Sequence, residues 1–328
     1  MRAVTYSAFG PAKDVMSVVE MNQPTPAPGE VLVKLEYSGA NPSDAKARAG
    51  ARPGVTKPAF DIIIPNSDGA GVISAVGEGV DPARIGTRVW IWNGQWQRAF
   101  GTCAQFIAIP AEQAVEMPDE MSMRTGACLG IPGLTAAHAT LGGGSISGST
   151  VLISGGAGSV GHNAIQLAKW AGATVIATGS PSAFDRIKAA GADHVLDYRA
   201  EDLAQNILAL APNGIDRAIE VEFGINADLL HQVVRANGII AAYGSGKDMA
   251  PTFPFGPYLF KAITIDIVLI YILPKPQRDA AIETLHRAHA DGAFRPDVHH
   301  VFSLEESAKA HDATMTPGRA GAVLIKMH

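Results

Sequence analysis

Thr150-Val151-Leu152-Ile153-Ser154-Gly155-Gly156-Ala157-Gly158-Ser159-Val160-Gly161 decides the fold. Its first five residues form a short apolar run without polar alternation, as in a parallel strand covered on both faces. Val160, Ala164, Leu167 and Ala171 then recur at spacings of four, three and four, which predicts an amphipathic helix that Gly172 ends. Val175–Thr178 reads as the next strand, completing a βαβ unit with a right-handed crossover. Between strand and helix, Gly156, Gly158 and Gly161 spell G-x-G-x-x-G. In that context the first glycine allows a tight turn, the second lets a pyrophosphate approach, and the third lets the helix pack closely. The exposed N–H groups of Ser159, Val160 and Gly161 would then face the phosphates of a dinucleotide.

Further strand candidates follow at helix-sized intervals: His194–Tyr198, Ile215–Val221, Gly238–Tyr243 and Thr264–Ile270. This alternation predicts a doubly wound parallel sheet of the Rossmann type, making the chain an α/β protein. The first third differs. Val31–Tyr37, with Val31, Val33, Leu35 and Tyr37 on one face, Gly71–Gly77 and Arg88–Trp92 read as short strands among glycines and prolines. Little there looks helical, and a compact β-rich, barrel-like unit is expected. Ala320–Lys326 reads as a last strand returning to it. The expected division is residues 1–122 with 296–328 around an inserted nucleotide domain, 123–295.

The choice of dinucleotide lies about 20 residues beyond the glycine turn, where an NAD-specific chain places Asp or Glu against the ribose. Here the sequence is Ala177-Thr178-Gly179-Ser180-Pro181. Gly179 offers no carboxylate to repel a 2′-phosphate, while Thr178 and Ser180 carry hydroxyl donors. Arg186, Lys188 and Arg199 are candidates for the balancing charge. NADPH is the expected cofactor.

The remaining composition narrows the function class. With 328 residues, 47% hydrophobic, the chain can bury two cores. A net charge of −5 and no Lys/Arg-rich run argue against a nucleic-acid partner. Cys103 and Cys128 are the only cysteines and form no C-x-x-C pair, so neither a disulfide framework nor a thiolate-built zinc site is expected. No apolar targeting core follows Met1, and Ile263–Leu273 contains Asp266 and falls short of the ~20 residues a membrane span needs. A cytoplasmic protein without a membrane partner is expected.

Ser38-Gly39-Ala40-Asn41-Pro42-Ser43-Asp44, Asn66-Ser67-Asp68-Gly69-Ala70-Gly71, Gly130-Ile131-Pro132-Gly133-Leu134-Thr135-Ala136 and the glycine turn together resemble the zinc-independent quinone oxidoreductases, the zeta-crystallin-like family within the medium-chain dehydrogenase/reductase superfamily. The resemblance covers nearly the whole length. It implies a GroES-like catalytic domain beside the Rossmann domain, an active site in the cleft between them, and a homodimer formed through the Rossmann sheet edge, here Ile263–Leu273. Zinc-binding relatives carry Cys at the position of Asn41 and a His-Glu pair at Ser67-Asp68, so no metal is expected.

The resemblance further implies that Asn41 and Thr135 lie near the nicotinamide and substrate. Tyr198 would sit beside the 2′-phosphate, Tyr243-Gly244-Ser245 along the cofactor, and Arg319 within reach of it. Lys46 stands where relatives often have Tyr, and Ala183 where they often have Lys. The implied activity is hydride transfer from NADPH to a quinone, with Asn41, Thr135 and Lys46 donating to the developing oxyanion. No residue stands out as a general acid. Reduction of the C=C bond of enones or alkenals requires the same donors. A non-catalytic NADPH-binding structural or redox-sensing protein is the alternative of another class. Asn41 and Thr135 also suit turn and helix-cap roles.

Overall fold

The eleven-residue strand Glu30–Ala40 organises the N-terminal part of the structure, a computed structural model that describes residues 1–51 and 54–328. In chain order, β1 (Arg2–Thr5) and β2 (Ser17–Glu20) form an antiparallel ribbon. The sheet beyond it is built from β3 (Glu30–Ala40), β4 (Asp68–Val76), β5 (Arg88–Ile91), β6 (Phe106–Pro110) and β7 (Ala114–Glu116). Here β3 pairs antiparallel with both β4 and β6. Val31, Val33, Leu35 and Tyr37 are buried as their alternation predicts, and the first three pack with Ile73, Val89, Ile91 and Ile107.

The expectation that this region contains little helix is corrected at Pro42–Arg48, an α-helix of seven residues. That is too short for a hydrophobic stripe to show, but its start is marked. Asn41 is the N-cap in a reciprocal box with Asp44, and Pro42 occupies the first turn, where its missing N–H costs nothing. The short helix Met123–Gly126 also belongs to this unit, which comprises Met1–Ile131 and Pro296–His328.

The second unit, Pro132–Arg295, carries β8 (Thr150–Ile153), β9 (Thr174–Gly179), β10 (His194–Asp197), β11 (Ile215–Glu220), β12 (Val234–Ala242) and β13 (Thr264–Ile267). All six run parallel, in the order β10-β9-β8-β11-β12-β13. The helix Ser159–Trp170 joins β8 to β9. Its buried face is Gly161, Ala164, Ile165 and Ala168 with Leu167, while Val160 and Ala171 are only half-buried. The face is rotated from the expected one because Gly161, which has no Cβ, makes the closest approach to the turn. The last strand expected in this sheet is shorter than read: β13 stops at Ile267, and Ile270–Ile272 form a 3₁₀ turn.

The chain then returns to the first unit through β14 (Val298–Ser303) and β15 (Ala322–Lys326). β15 runs parallel to β14 and antiparallel to β3, with Leu324 opposite Gly39. No helix among the described residues is long and apolar enough to cross a membrane.

Candidate active site

The glycine turn has the geometry its sequence demands. Gly155 adopts φ +66°, in the left-handed region that disfavours side chains. A Cβ on Gly161 would fall 2.3 Å from the Gly155 carbonyl oxygen, so only glycine lets the helix start this close to the strand. The turn is tied to β9 by the Gly156 N–H, which donates to the Thr178 carbonyl at 2.9 Å. Gly158 is exposed and is the N-cap of Ser159–Trp170, with no side chain capping this end. The first bond of the helix proper runs from His162 N–H to the Gly158 carbonyl at 2.8 Å. The amides before it, including those of Val160 and Gly161, have no intrahelical acceptor. A helix start with no side-chain cap behind an exposed glycine fits a pyrophosphate.

At the ribose end, β9 finishes on Gly179, in register with Asp197 at the end of β10. A Cβ on Gly179 would lie 2.3 Å from Ile187 Cδ1, so the neighbouring helix already fills that space. Thr178 is buried inside the strand, and what it contributes to the turn is its carbonyl. The hydroxyl expected from it at the strand end therefore falls to the half-buried Ser180, whose Oγ lies 3.1 Å from Ser182 Oγ. Tyr198 is 51% exposed, and its N–H reaches the Gly179 carbonyl at 3.4 Å.

The sequence reading missed a carboxylate here. Asp197 stands one strand over from Gly179, and Arg199 neutralises it through Nε to Oδ1 at 3.1 Å and Nη2 to Oδ2 at 3.2 Å. These bonds hold the Asp197 carboxyl below its usual range. Arg199 also lies over the Tyr198 ring at 5.4 Å, so the run Asp197-Tyr198-Arg199 was the available signal. Arg186 instead latches the glycine turn, its Nε donating to the Ala157 carbonyl at 3.2 Å.

Tyr243, Gly244 and Ser245 follow β12 and pack on the end of β11. The Tyr243 N–H donates to the Glu220 carbonyl at 3.0 Å, Gly244 accepts from Phe223 N–H at 3.0 Å, and Ser245 Oγ accepts from Gly224 N–H at 2.8 Å. Thr135 is buried in the helix Leu134–Leu141, directly after the wide turn Leu129–Gly133 that contains Pro132.

In the first unit, Asn41 is 8% exposed and Lys46 is exposed on the helix that Asn41 caps. The Asn41 N–H donates to Asp44 Oδ2 at 2.8 Å, and its Nδ2 donates to Asp68 Oδ2 at 2.8 Å. Asn41 is thus a helix cap and also half of a buried amide–carboxyl pair. Arg319 lies in this unit too, its Nη1 donating to the Gly321 carbonyl. The donor set around Asn41 does not fit a zinc ion. Asn41 could offer a metal only its neutral Oδ1, both Asp68 carboxyl oxygens already accept N–H bonds, and among the described residues no three His, Cys, Asp or Glu side chains cluster to hold one.

Comparison with known proteins agrees with both halves. A family model described as zinc-binding dehydrogenase matches residues 159–286, and one described as alcohol dehydrogenase GroES-like domain matches residues 27–119. A chloroplast envelope quinone oxidoreductase homolog of Arabidopsis thaliana is 30% identical, covering 84% of this chain and 84% of that protein. The synaptic vesicle membrane protein VAT-1 homolog of Homo sapiens is 30% identical over 67% of this chain and 55% of its own length. The chain therefore spans about half the length of the VAT-1 relatives it matches. Among solved structures, an alcohol dehydrogenase superfamily protein from Novosphingobium aromaticivorans superposes with a TM-score of 0.87 at 29% identity, covering 99% of this chain and 100% of that one.

Proposed function

Because the chain belongs to the quinone oxidoreductase family of the medium-chain dehydrogenases/reductases, we propose that it is an NADPH-dependent oxidoreductase that passes a hydride to a quinone without a metal. The observation that carries the cofactor reading is the uncapped helix behind Gly158, with Gly179 closing the neighbouring strand. NADPH supplies the hydride. The Gly156–Gly161 turn would hold the pyrophosphate against helix amides. Ser180, Tyr198 and Arg199 would receive the 2′-phosphate, with Arg199 offsetting the nearby Asp197 charge. Tyr243, Gly244 and Ser245 would line the rest of the cofactor.

With no Lewis acid, negative charge growing on a substrate oxygen needs oriented donors. The Asn41 amide, the Thr135 hydroxyl and the Lys46 ammonium are assigned that role. A quinone makes modest demands on them, because the hydroquinone anion spreads its charge over a ring.

Fluorescence titration should show tighter binding of NADPH than NADH, with turnover of 1,4-benzoquinone and less than one zinc per chain by elemental analysis. Tighter NADH binding would overturn the cofactor assignment. Stoichiometric zinc whose removal abolishes activity would overturn the metal-free one, and binding without turnover of quinones would overturn the reaction.

A further inference from the structure

Asp68 is 1% exposed at the first position of β4. A carboxyl group in such a place is strongly penalised unless a cation or several donors answer it. Among the described residues no cation does so. Its partners are two neutral N–H groups: Ile131 N–H on Oδ1 at 2.9 Å and Asn41 Nδ2 on Oδ2 at 2.8 Å. Its charged neighbour is Asp44, a like charge. Burial first, and then Asp44, hold the Asp68 carboxyl well above the ordinary range.

The chain nevertheless fixes this unfavourable group tightly. The Asp68 carbonyl accepts from Thr102 Oγ1 at 2.6 Å, and Thr102 Oγ1 lies 2.8 Å from Ser38 Oγ. Ser38 Oγ accepts from Asn66 Nδ2 at 3.0 Å, and Asn66 Oδ1 lies 2.9 Å from His311 Nε2. The backbone closes in as well. A Cβ on Gly130 would fall 2.1 Å from Asp68 Oδ1, and one on Gly39 would fall 2.4 Å from the Ala127 carbonyl oxygen. A costly group held to a narrow tolerance is better explained by use than by stability.

We propose that Asp68 is the positioning residue for Asn41: its buried carboxyl group takes one N–H of the Asn41 amide and thereby aims the other. This rests on the reading of Asn41 as a donor to substrate. The outer torsion of an asparagine is broad, and the box with Asp44 engages the Asn41 backbone N–H and side-chain oxygen while leaving the direction of its NH2 group to a further contact. The contact with Asp68 removes that freedom before substrate arrives, which is what makes a donor effective in a transition state.

Asp68→Asn separates orientation from stability. An amide at this position can accept from only one of the two donors, so either Ile131 or Asn41 loses its contact. With 1,4-benzoquinone and NADPH, kcat should fall about tenfold or more, while the NADPH dissociation constant and the melting temperature stay near wild type. Because Asp68 acts through Asn41, adding Asp68→Asn to Asn41→Ala should change kcat by no more than about twofold. A full additional loss in the double variant, or a normal kcat in Asp68→Asn alone, overturns the proposal. If Asp68→Asn does not fold, Asp68→Ala should turn over slowly in its folded fraction. A lower melting temperature with normal kcat in the folded fraction would make Asp68 structural. Wild-type kcat in Asn41→Ala would instead sink the reading of Asn41 itself, and the NADPH titration shows whether the cofactor assignment survives it.

Discussion

Replacing His311 by glutamine tests how the interior of the first unit keeps its charge state. His311 is 0% exposed in the helix Ser307–Thr314, with Nε2 2.9 Å from Asn66 Oδ1. Asn66 spends its Nδ2 on Ser38, so its oxygen faces the imidazole and Nε2 is the donor. Burial, aided by the charge of Arg48, lowers the imidazole from 6.5 to about 3. The unfolded chain therefore takes up this proton at a higher pH than the folded one. His311 contributes stability that is complete above pH 6.5 and is lost as pH falls toward 3. With those two values the loss is about 2 kcal/mol at pH 5 and about 3 kcal/mol at pH 4.

His311→Gln keeps an N–H donor for Asn66 and does not titrate. Urea unfolding followed by tryptophan emission is the assay, since Trp90, Trp92 and Trp96 all lie in the first unit. Between about pH 7.5 and pH 5 the variant should gain about 2 kcal/mol relative to wild type. Parallel pH profiles for the two proteins would refute the reasoning.

Gly179→Asp should weaken NADPH binding at least about tenfold beyond a Gly179→Ala control, with NADH held equally or better. The control is needed because any Cβ there meets Ile187 Cδ1 at 2.3 Å, and equal losses in both variants would reduce the effect to packing. The proposed homodimer should depend on the edge strand β13, where Ile267 is 81% exposed; Ile267→Lys should give monomers by light scattering, and a wild-type monomer would exclude the dimer. Asn41→Ala and Thr135→Val should each lower kcat/KM for 1,4-benzoquinone by less than the roughly 3–4 kcal/mol that an oxyanion-hole donor can supply. Unchanged kinetics and unchanged melting in both would show that neither residue acts at the nicotinamide.

The glycine turn was legible because each glycine answers a separate geometric demand, and Gly161 in particular cannot be replaced without displacing the Gly155 carbonyl. The strands of the parallel sheet and the longer strands of the first unit were legible from runs such as Val31–Tyr37 and Thr150–Ser154, whereas the short β6 and β7 were not. The helix Pro42–Arg48 was not, because seven residues give no periodicity, although Asn41-Pro42 and Asp44 announced its start. β14 was also missed. It is an edge strand whose His299 and His300 face solvent, so its pattern carries little apolar signal. The pairing of Asn41 with Asp68 joins residues 27 apart in sequence, and the neutralising of Asp197 by Arg199 matters only because β10 lies beside β9. Such relations follow from strand order and register, which no local pattern encodes.

The pairing of β15 with β3 also fixes an order of events during synthesis. Tyr37–Ala40 of β3 pair with Val323–Lys326, so residues 41–322 must be translated in between. At about 5–20 residues per second this takes on the order of 15–60 s. Through that interval the β3 edge leading into Asn41 has open N–H and C=O groups, the kind of surface that recruits wrong partners. All six strands of the parallel sheet leave the ribosome before β14 and β15 do. A nascent chain can thus possess a complete glycine turn while the strand before Asn41 still lacks its neighbour.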